Sequence, residues 1–110
     1  MIARPSKFGN VKTLVDGITF SSKKEARRFS ELKLLERVGE IANLECQPAF
    51  PLDVNGVPVC RYVGDFRYVE TKTGKTIVED VKSEITRKHP VYRLKVKLLK
   101  AVRGIDVVEV

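Results

Sequence analysis

Short apolar runs separated by turn signals fill the middle of this 110-residue chain. Their length is typical of β-strands, and Pro, Gly and Asn residues interrupt them. Asp16-Gly17, Asn55-Gly56 and Thr73-Gly74 tolerate the positive φ of tight turns. The predicted strands are 13–15, 18–20, 41–47, 50–53, 57–63, 61–70, 75–82 and 105–110. Such a pattern predicts a sheet of mostly antiparallel strands.

Two segments instead have helical periodicity. Ser22 and Glu25 have the spacing of a capping box, and apolar residues recur every three residues until Gly39 ends the first helix. Pro90 suits the first turn of a second helix, which has one apolar face and ends at Gly104. The order of elements predicts a single α/β domain over residues 13–110, preceded by a basic arm at residues 1–12.

The positive charge is concentrated in one segment. The chain has 21 Lys and Arg against 14 Asp and Glu, a formal net charge of +7. Residues 82–103 carry eight basic residues and one acid, which accounts for the whole surplus. This distribution is typical of a polyanion binder, although a solvated helix face is the simpler alternative. The candidate DNA-binding residues are Arg87, Lys88, Arg93, Lys95, Lys97 and Lys100.

Composition argues against a membrane protein, a secreted protein and a zinc-binding protein. No apolar run approaches the ~20 residues of a membrane span, and the first residues lack the apolar stretch of a signal peptide. We therefore expect no membrane association and a cytoplasmic location. Cys46 and Cys60, with one His, do not make up a zinc site of four ligands, and we expect both thiols to be reduced.

Two carboxylates and a lysine are expected to converge at the end of a strand. Asp80 and Lys82 are two residues apart, so both side chains project from the same face of a strand. The turn near residue 73 brings Asp65 onto the neighbouring strand. Carboxylate oxygens and a substrate phosphate are ligands typical of Mg²⁺, and Lys82 could orient or deprotonate an attacking water.

The register of this hairpin decides which acid faces Asp65. A two-residue turn at Thr73-Gly74 sets Asp65 opposite Lys82 and keeps Asp80 on the same face. A three-residue loop shifts the pairing by one residue and puts Glu79 on that face instead. Hydropathy leaves both registers open, because the strand has apolar residues on both faces, as expected for a central strand.

Asp65 followed by Asp80-Val81-Lys82-Ser83 resembles the signature of PD-(D/E)XK nucleases, a lone Asp before an acidic-x-Lys triplet. The residue before Asp65 is Gly64, where the superfamily commonly has Pro. Nearly the whole chain is similar to a small phage-encoded endonuclease-like family related to Holliday junction resolvases. The segments that carry this wider similarity are Lys7-Phe8-Gly9-Asn10, Asp16-Gly17, Ser22-Lys23-Lys24-Glu25, Gln47-Pro48, Asp65-Phe66 and Glu79-Asp80-Val81-Lys82.

The resemblance implies a restriction-endonuclease-like domain with an α-β-β-β-α-β core and a mixed central sheet. It also implies hydrolysis of DNA phosphodiesters with Mg²⁺, for which Mn²⁺ can substitute. Asp65, Asp80 and Glu25 would then be metal ligands and Lys82 the catalytic lysine. Glu79 and Gln47 are possible auxiliary residues, and Glu79 is the alternative to Asp80 as ligand.

We therefore expect a metal-dependent DNA endonuclease. Because the basic helix would hold the DNA backbone without reading bases, we expect selectivity for DNA structure or ends, such as branched or junction DNA, with little sequence specificity. Recombination, junction resolution during packaging and degradation of host DNA are all compatible with this activity. One active site in so small a chain favours a homodimer for cutting two strands. One alternative is a non-catalytic nucleic-acid-binding module that uses the basic helix, and another is an accessory protein whose basic helix binds an acidic partner.

Overall fold

The computed structural model describes residues 12–110, apart from the side chain of Glu84. The predicted basic arm, residues 1–12, therefore lies outside the described residues except for Lys12. The elements are β1 (Thr13–Val15), β2 (Ile18–Phe20), α1 (Lys23–Arg37), β3 (Ile41–Cys46), β4 (Ala49–Val54), β5 (Val57–Val63), β6 (Phe66–Glu70), β7 (Thr76–Asp80), α2 (Glu84–Arg87), α3 (Pro90–Arg103) and β8 (Val107–Glu109). The predicted compact α/β organisation is confirmed.

A mixed sheet of four strands forms the centre, in the order β3-β6-β7-β8. The first three strands pair antiparallel, and β8 pairs parallel with β7. Parallel neighbours need a long crossover, which α3 provides between β7 and β8. The strands β1–β2 and β4–β5 form two separate ribbons. With these ribbons and α2 set aside, the elements follow the order α-β-β-β-α-β.

Both faces of the sheet are covered. On one face, α1 and the β1–β2 ribbon bury Phe20 and Phe29 against Phe66 of the sheet. On the other face, the β4–β5 ribbon and α3 bury Leu52 and Leu99 in a second cluster around Val78 of β7. β7 is therefore a central strand, as its apolar residues on both faces predicted.

The predicted continuous strand over 61–70 is wrong, because the chain changes sheets at Gly64 and Asp65. β5 pairs with β4 in the ribbon, whereas β6 pairs with β3 and β7. The crossing is tight: a Cβ on Gly64 would lie 3.2 Å from Cγ1 of Val78. Glycine allows this close approach, and the Gly64 amide donates to the carbonyl of Pro48 (3.0 Å), which extends the β4–β5 pairing by one position before the chain enters β6.

The turn between β6 and β7 also differs from both predicted registers. It has four residues, 71–74, and the Glu70 amide donates to the Lys75 carbonyl (2.8 Å) across its base. The strands pair Phe66 with Glu79, so the next position sets Asp65 opposite Asp80. In the register predicted for a two-residue turn, Asp65 lies opposite Lys82, so the observed pairing is shifted by two residues. Because side chains alternate between faces, a shift of two residues keeps Asp80 on the same face as Asp65. The short helix α2 is an addition to the two helices that the sequence predicts.

Candidate metal and nucleic-acid site

Asp65 is held in place by its own backbone and by the strand beside it. Its amide donates to the Glu79 carbonyl (3.1 Å), and its carbonyl accepts from the Gln47 amide (2.9 Å). The side-chain Oδ2 accepts from the Val81 amide at 2.7 Å. The Asp65 carboxylate is therefore fixed at the point where β7 ends, next to Asp80.

Asp80 is almost completely buried, with 1% of its surface exposed. Oδ2 accepts a hydrogen bond from the Tyr62 hydroxyl of β5. Oδ1 lies 3.0 Å from Nζ of Lys82, an ion-pair distance without hydrogen-bond geometry. In the part of the chain that the structure describes, Oδ1 is the one buried side-chain oxygen or nitrogen with no hydrogen-bond partner. A buried carboxylate oxygen in this state is costly, so the site favours a further cation or donor.

The two aspartates disfavour each other's charge. Burial, the hydrogen bond that a protonated Asp65 can donate to Asp80, and the negative charge of Asp80 raise the pKa of Asp65 to about 8, and Glu25 adds to the shift. Two carboxylates that share a buried site cannot both ionise without a compensating charge. Ionisation of both carboxylates at neutral pH is therefore disfavoured, and a proton or a cation beside the pair would relieve their repulsion.

Lys82 is the cation nearest to this pair. Its side chain is 24% exposed, and Nζ lies 4.9 Å from the ring centroid of Tyr92 on α3. The Tyr92 hydroxyl donates to Oε2 of Glu109 (2.8 Å), which fixes the ring. The ammonium group is thus held between an aromatic face and the Asp80 carboxylate, at the edge of the site.

Glu25 lies in the first turn of α1, and only 4% of its surface is exposed. Oε2 accepts from the Ser21 hydroxyl (2.6 Å), and the Glu25 amide donates to the N-cap Ser22 (3.1 Å). A cavity of about 260 Å³ is lined by Glu25 together with Asp65 and Lys82. Within residues 12–110, however, no three His, Cys, Asp or Glu side chains are grouped so that they could hold a metal ion. Glu25 faces the cavity without joining such a group.

Glu79 points to the opposite face of the sheet from Asp80. Its carboxylate accepts from Arg28 of α1 through Nε (2.7 Å) and Nη2 (2.6 Å), and from the Tyr68 hydroxyl. The hydrogen bond to Glu79 raises the pKa of Arg28 further above its usual range. These contacts hold α1 against β7, so Glu79 has a structural role. Asp80, and not Glu79, is the carboxylate beside Asp65. Gln47 adopts a positive φ of 53°, and its side chain is exposed. Its backbone N–H, not its side chain, contacts Asp65, by donating to the Asp65 carbonyl.

The six candidate DNA-binding residues, which lie in α2, in α3 and between them, divide into two groups. Arg87 lies 3.7 Å from Glu109, and Lys100 lies 2.8 Å from Asp106, so both have acidic neighbours. The other four candidates have no ion-pair partner among the described side chains, and they are Lys88, Arg93, Lys95 and Lys97. A cavity of about 360 Å³ on this surface is lined by residues that include Arg87, Lys88, Arg93 and Lys97.

Sequence reasoning did not predict a role for Tyr62 or Arg61. Tyr62 contacts Asp80 because the β4–β5 ribbon packs across the sheet, and no local pattern relates residues 62 and 80. Arg61 and Lys95 line a further cavity beside Asp80. The one sequence feature that bears on these two residues is the Asn55-Gly56 hairpin, because it sets which residues of β5 alternate between the two faces of the ribbon.

The chain matches the family described as "Protein of unknown function (DUF1064)" over residues 5–105. No curated protein matches the chain, and no solved structure does. No helix within residues 12–110 is both long and apolar enough to cross a membrane. The family therefore leaves the function to be argued from the site.

Proposed function

The chain belongs to the DUF1064 family, and we propose that it is a metal-dependent DNA endonuclease of the PD-(D/E)XK kind with a restriction-endonuclease-like fold. The observation that carries the proposal is the buried Oδ1 of Asp80, which has no hydrogen-bond partner and lies beside Asp65 and Lys82. The order α-β-β-β-α-β of the central elements supports the same assignment.

The donors at the site fit a hard divalent cation. Mg²⁺ is bound in phosphoryl-transfer sites by one or two carboxylates, several waters and the substrate phosphate. Asp65 and Asp80 supply two carboxylates on one face, and a cation would relieve the repulsion that raises the pKa of Asp65. A third carboxylate is not required for this kind of site. Glu25 lines the adjoining cavity, where its carboxylate could accept from a water.

The protein's own side chains have distinct tasks in the proposed reaction. Asp65 and Asp80 would hold Mg²⁺, which polarises phosphoryl oxygens and favours formation of a hydroxide nucleophile at neutral pH when bound. Tyr62 fixes the Asp80 carboxylate through Oδ2 and leaves Oδ1 available. The ammonium of Lys82 orients the attacking water or offsets charge on the phosphate, and Tyr92 restricts its position.

The unpaired basic residues of α3 would bind the DNA backbone. Their contacts with phosphates position the strand and carry no information about bases, so the proposed substrate is selected by structure, as in branched or junction DNA. Cutting both strands with one site per chain supports a homodimer as the active form.

A specific observation also favours a second function, that of a non-catalytic nucleic-acid-binding module. Lys82 already forms an ion pair with Asp80, and no set of three potential ligands is grouped within residues 12–110. In that case the carboxylates only balance neighbouring cations, and the basic surface alone contacts nucleic acid.

Nicking of supercoiled plasmid and of a four-way junction separates the two functions. Wild type is compared with Asp80→Asn and Lys82→Met in Mg²⁺, Mn²⁺ and EDTA, and exposed Asp53→Asn is the matched control. We expect metal-dependent cleavage by wild type and by the control, and a loss of about 10²–10³-fold for Lys82→Met, the range for removal of one group that stabilises charge in the transition state. Binding measured by fluorescence anisotropy in EDTA should persist in both site variants.

Purified wild type that binds DNA but leaves every substrate intact would favour the non-catalytic function. Equal cleavage by wild type and Asp80→Asn would refute the assignment of the site.

A further inference from the structure

Next to Asp80, on the side of the β4–β5 ribbon, is a cavity of about 320 Å³ between β5 and α3. The residues that line it include Arg61 and Val63 of β5, Val91, Tyr92 and Lys95 of α3, and Lys82. We propose that this cavity binds one nucleotide next to the cleaved bond, with Arg61 and Lys95 holding its phosphate. This phosphate subsite, as we name it, rests on the proposed nuclease function and identifies a contact with its substrate.

The charges around the cavity favour an anion. Arg61, Lys82 and Lys95 contribute three cations, and Asp80 contributes the one carboxylate among the lining residues. Neither Arg61 nor Lys95 has an ion pair or side-chain hydrogen bond with any described residue, although each comes from a different element. A guanidinium and an ammonium group on the walls of one cavity are suited to a phosphate, which accepts the two-pronged hydrogen bonds of arginine.

The other walls favour a nucleotide over a bare phosphate ion. Val63, Val91 and the half-buried ring of Tyr92 contribute apolar surface to the cavity. A sugar or base can pack against this surface, whereas inorganic phosphate gains nothing from it. The volume is at the lower end of the range for small-molecule sites, so it suits a single nucleotide and not a duplex.

The position of the cavity links it to the candidate catalytic site. Asp80 and Lys82 line it, and Lys82 also lines the cavity that contains Asp65 and Glu25. A strand whose scissile phosphate lies at the Asp65–Asp80 pair can therefore continue past Lys82 and place its next nucleotide between Arg61 and Lys95. This neighbouring phosphate would fix the position of the strand without contacting the reacting atoms.

The test uses thymidine 3′,5′-bisphosphate and inorganic phosphate as probes, titrated into ¹⁵N-labelled full chain in EDTA. We expect the bisphosphate to shift the amides of Val63, Val91 and Tyr92, and inorganic phosphate to act on the same amides more weakly. Arg61→Gln/Lys95→Gln should weaken bisphosphate binding at least about tenfold, and the loss of two charged contacts should lower the salt dependence of DNA binding by about one to two phosphate equivalents.

The matched control is Arg37→Gln/Lys75→Gln, which removes the same charges at the opposite end of the sheet. It should leave bisphosphate binding unchanged. The NMR spectra themselves show whether each variant is folded, and the single Lys95→Gln variant is used if the double variant is not. Unchanged binding in the cavity variant, equal weakening in the control, or shifts confined to another surface would overturn the proposal.

Cleavage assays keep the two proposals distinguishable. Suppose that wild type binds the bisphosphate but does not cut DNA in Mg²⁺, and that the cavity variant no longer binds the bisphosphate. The nuclease function then fails, and the phosphate subsite stands as a nucleotide-binding site. If wild type cuts DNA and the cavity variant binds bisphosphate as wild type does, only the phosphate subsite is refuted.

Discussion

Replacing Asp65 with asparagine should make the protein more stable near neutral pH while it removes the proposed activity. The side-chain carbonyl of the introduced amide can still accept from the Val81 amide, as Oδ2 of Asp65 does at 2.7 Å. Its NH₂ group can donate towards Asp80, as a protonated Asp65 would. The variant therefore mimics the protonated aspartate at every pH and carries no charge that repels Asp80.

The magnitude follows from the pKa of Asp65, which is raised from 3.8 to about 8 by burial and by Asp80. The unfolded chain releases this proton near pH 4, whereas the folded protein keeps it until about pH 8. Between these values the folded state binds more protons, so this group's contribution to stability falls as pH rises, by about 1.4 kcal/mol per pH unit. From pH 5 to pH 7 wild type should lose about 3 kcal/mol, or on the order of 10 °C in Tm.

Urea denaturation at pH 5, 6, 7 and 8 measures this loss in wild type, Asp65→Asn and the exposed control Asp53→Asn. We expect the free energy of unfolding to decrease with pH in wild type and in the control, and to stay nearly level in Asp65→Asn. Mg²⁺ should restore stability to wild type more at pH 8 than at pH 5, because the proton and the cation compete for the same oxygens. A wild-type stability that is level or rises from pH 5 to pH 7, or an equal slope in Asp65→Asn, would refute the reasoning.

Three further substitutions test individual contacts. Tyr62→Phe removes the donor to a buried carboxylate, and urea denaturation should show a loss of about 1–3 kcal/mol, whereas an unchanged midpoint would contradict the contact. Arg28→Met leaves the buried Glu79 without its cation and should lower the free energy of unfolding by about 3–5 kcal/mol. The double variant Arg28→Met/Glu79→Met should recover part of this loss, and no recovery would argue against the ion pair. Gly64→Ala places a methyl group 3.2 Å from a β7 side chain, so thermal unfolding should show a loss of about 1–3 kcal/mol, and a Tm equal to wild type would mean that β7 moves freely.

Local patterns were sufficient to predict most elements of the fold. The capping spacing of Ser22 and Glu25 and the position of Pro90 located both long helices, because these signals act within one turn of helix. The register of β6 and β7 was not predictable, since it depends on whether the turn has two, three or four residues. Gly74 takes its positive φ of 72° as the last residue of a four-residue turn, which the sequence does not distinguish from a shorter one.

The candidate site was predictable only where its residues are neighbours in the chain or across one hairpin. Asp65, Asp80 and Lys82 lie together because they are joined by a single pair of strands. Tyr62 reaches Asp80 through the packing of a separate ribbon, and Arg28 reaches Glu79 from a helix 51 residues away in sequence. Contacts of this kind arise from tertiary packing, for which periodicity and spacing give no signal.

The most direct measurement is the position of Mn²⁺ in crystals of wild type, located by anomalous scattering. The proposed function predicts a peak that both Asp65 and Asp80 ligate at the ~2.0–2.2 Å typical of small divalent cations, and no such peak in Asp80→Asn crystals. A Mn²⁺ ion bound elsewhere, or carboxylates that remain paired only with a proton and Lys82 at saturating Mn²⁺ and alkaline pH, would contradict it.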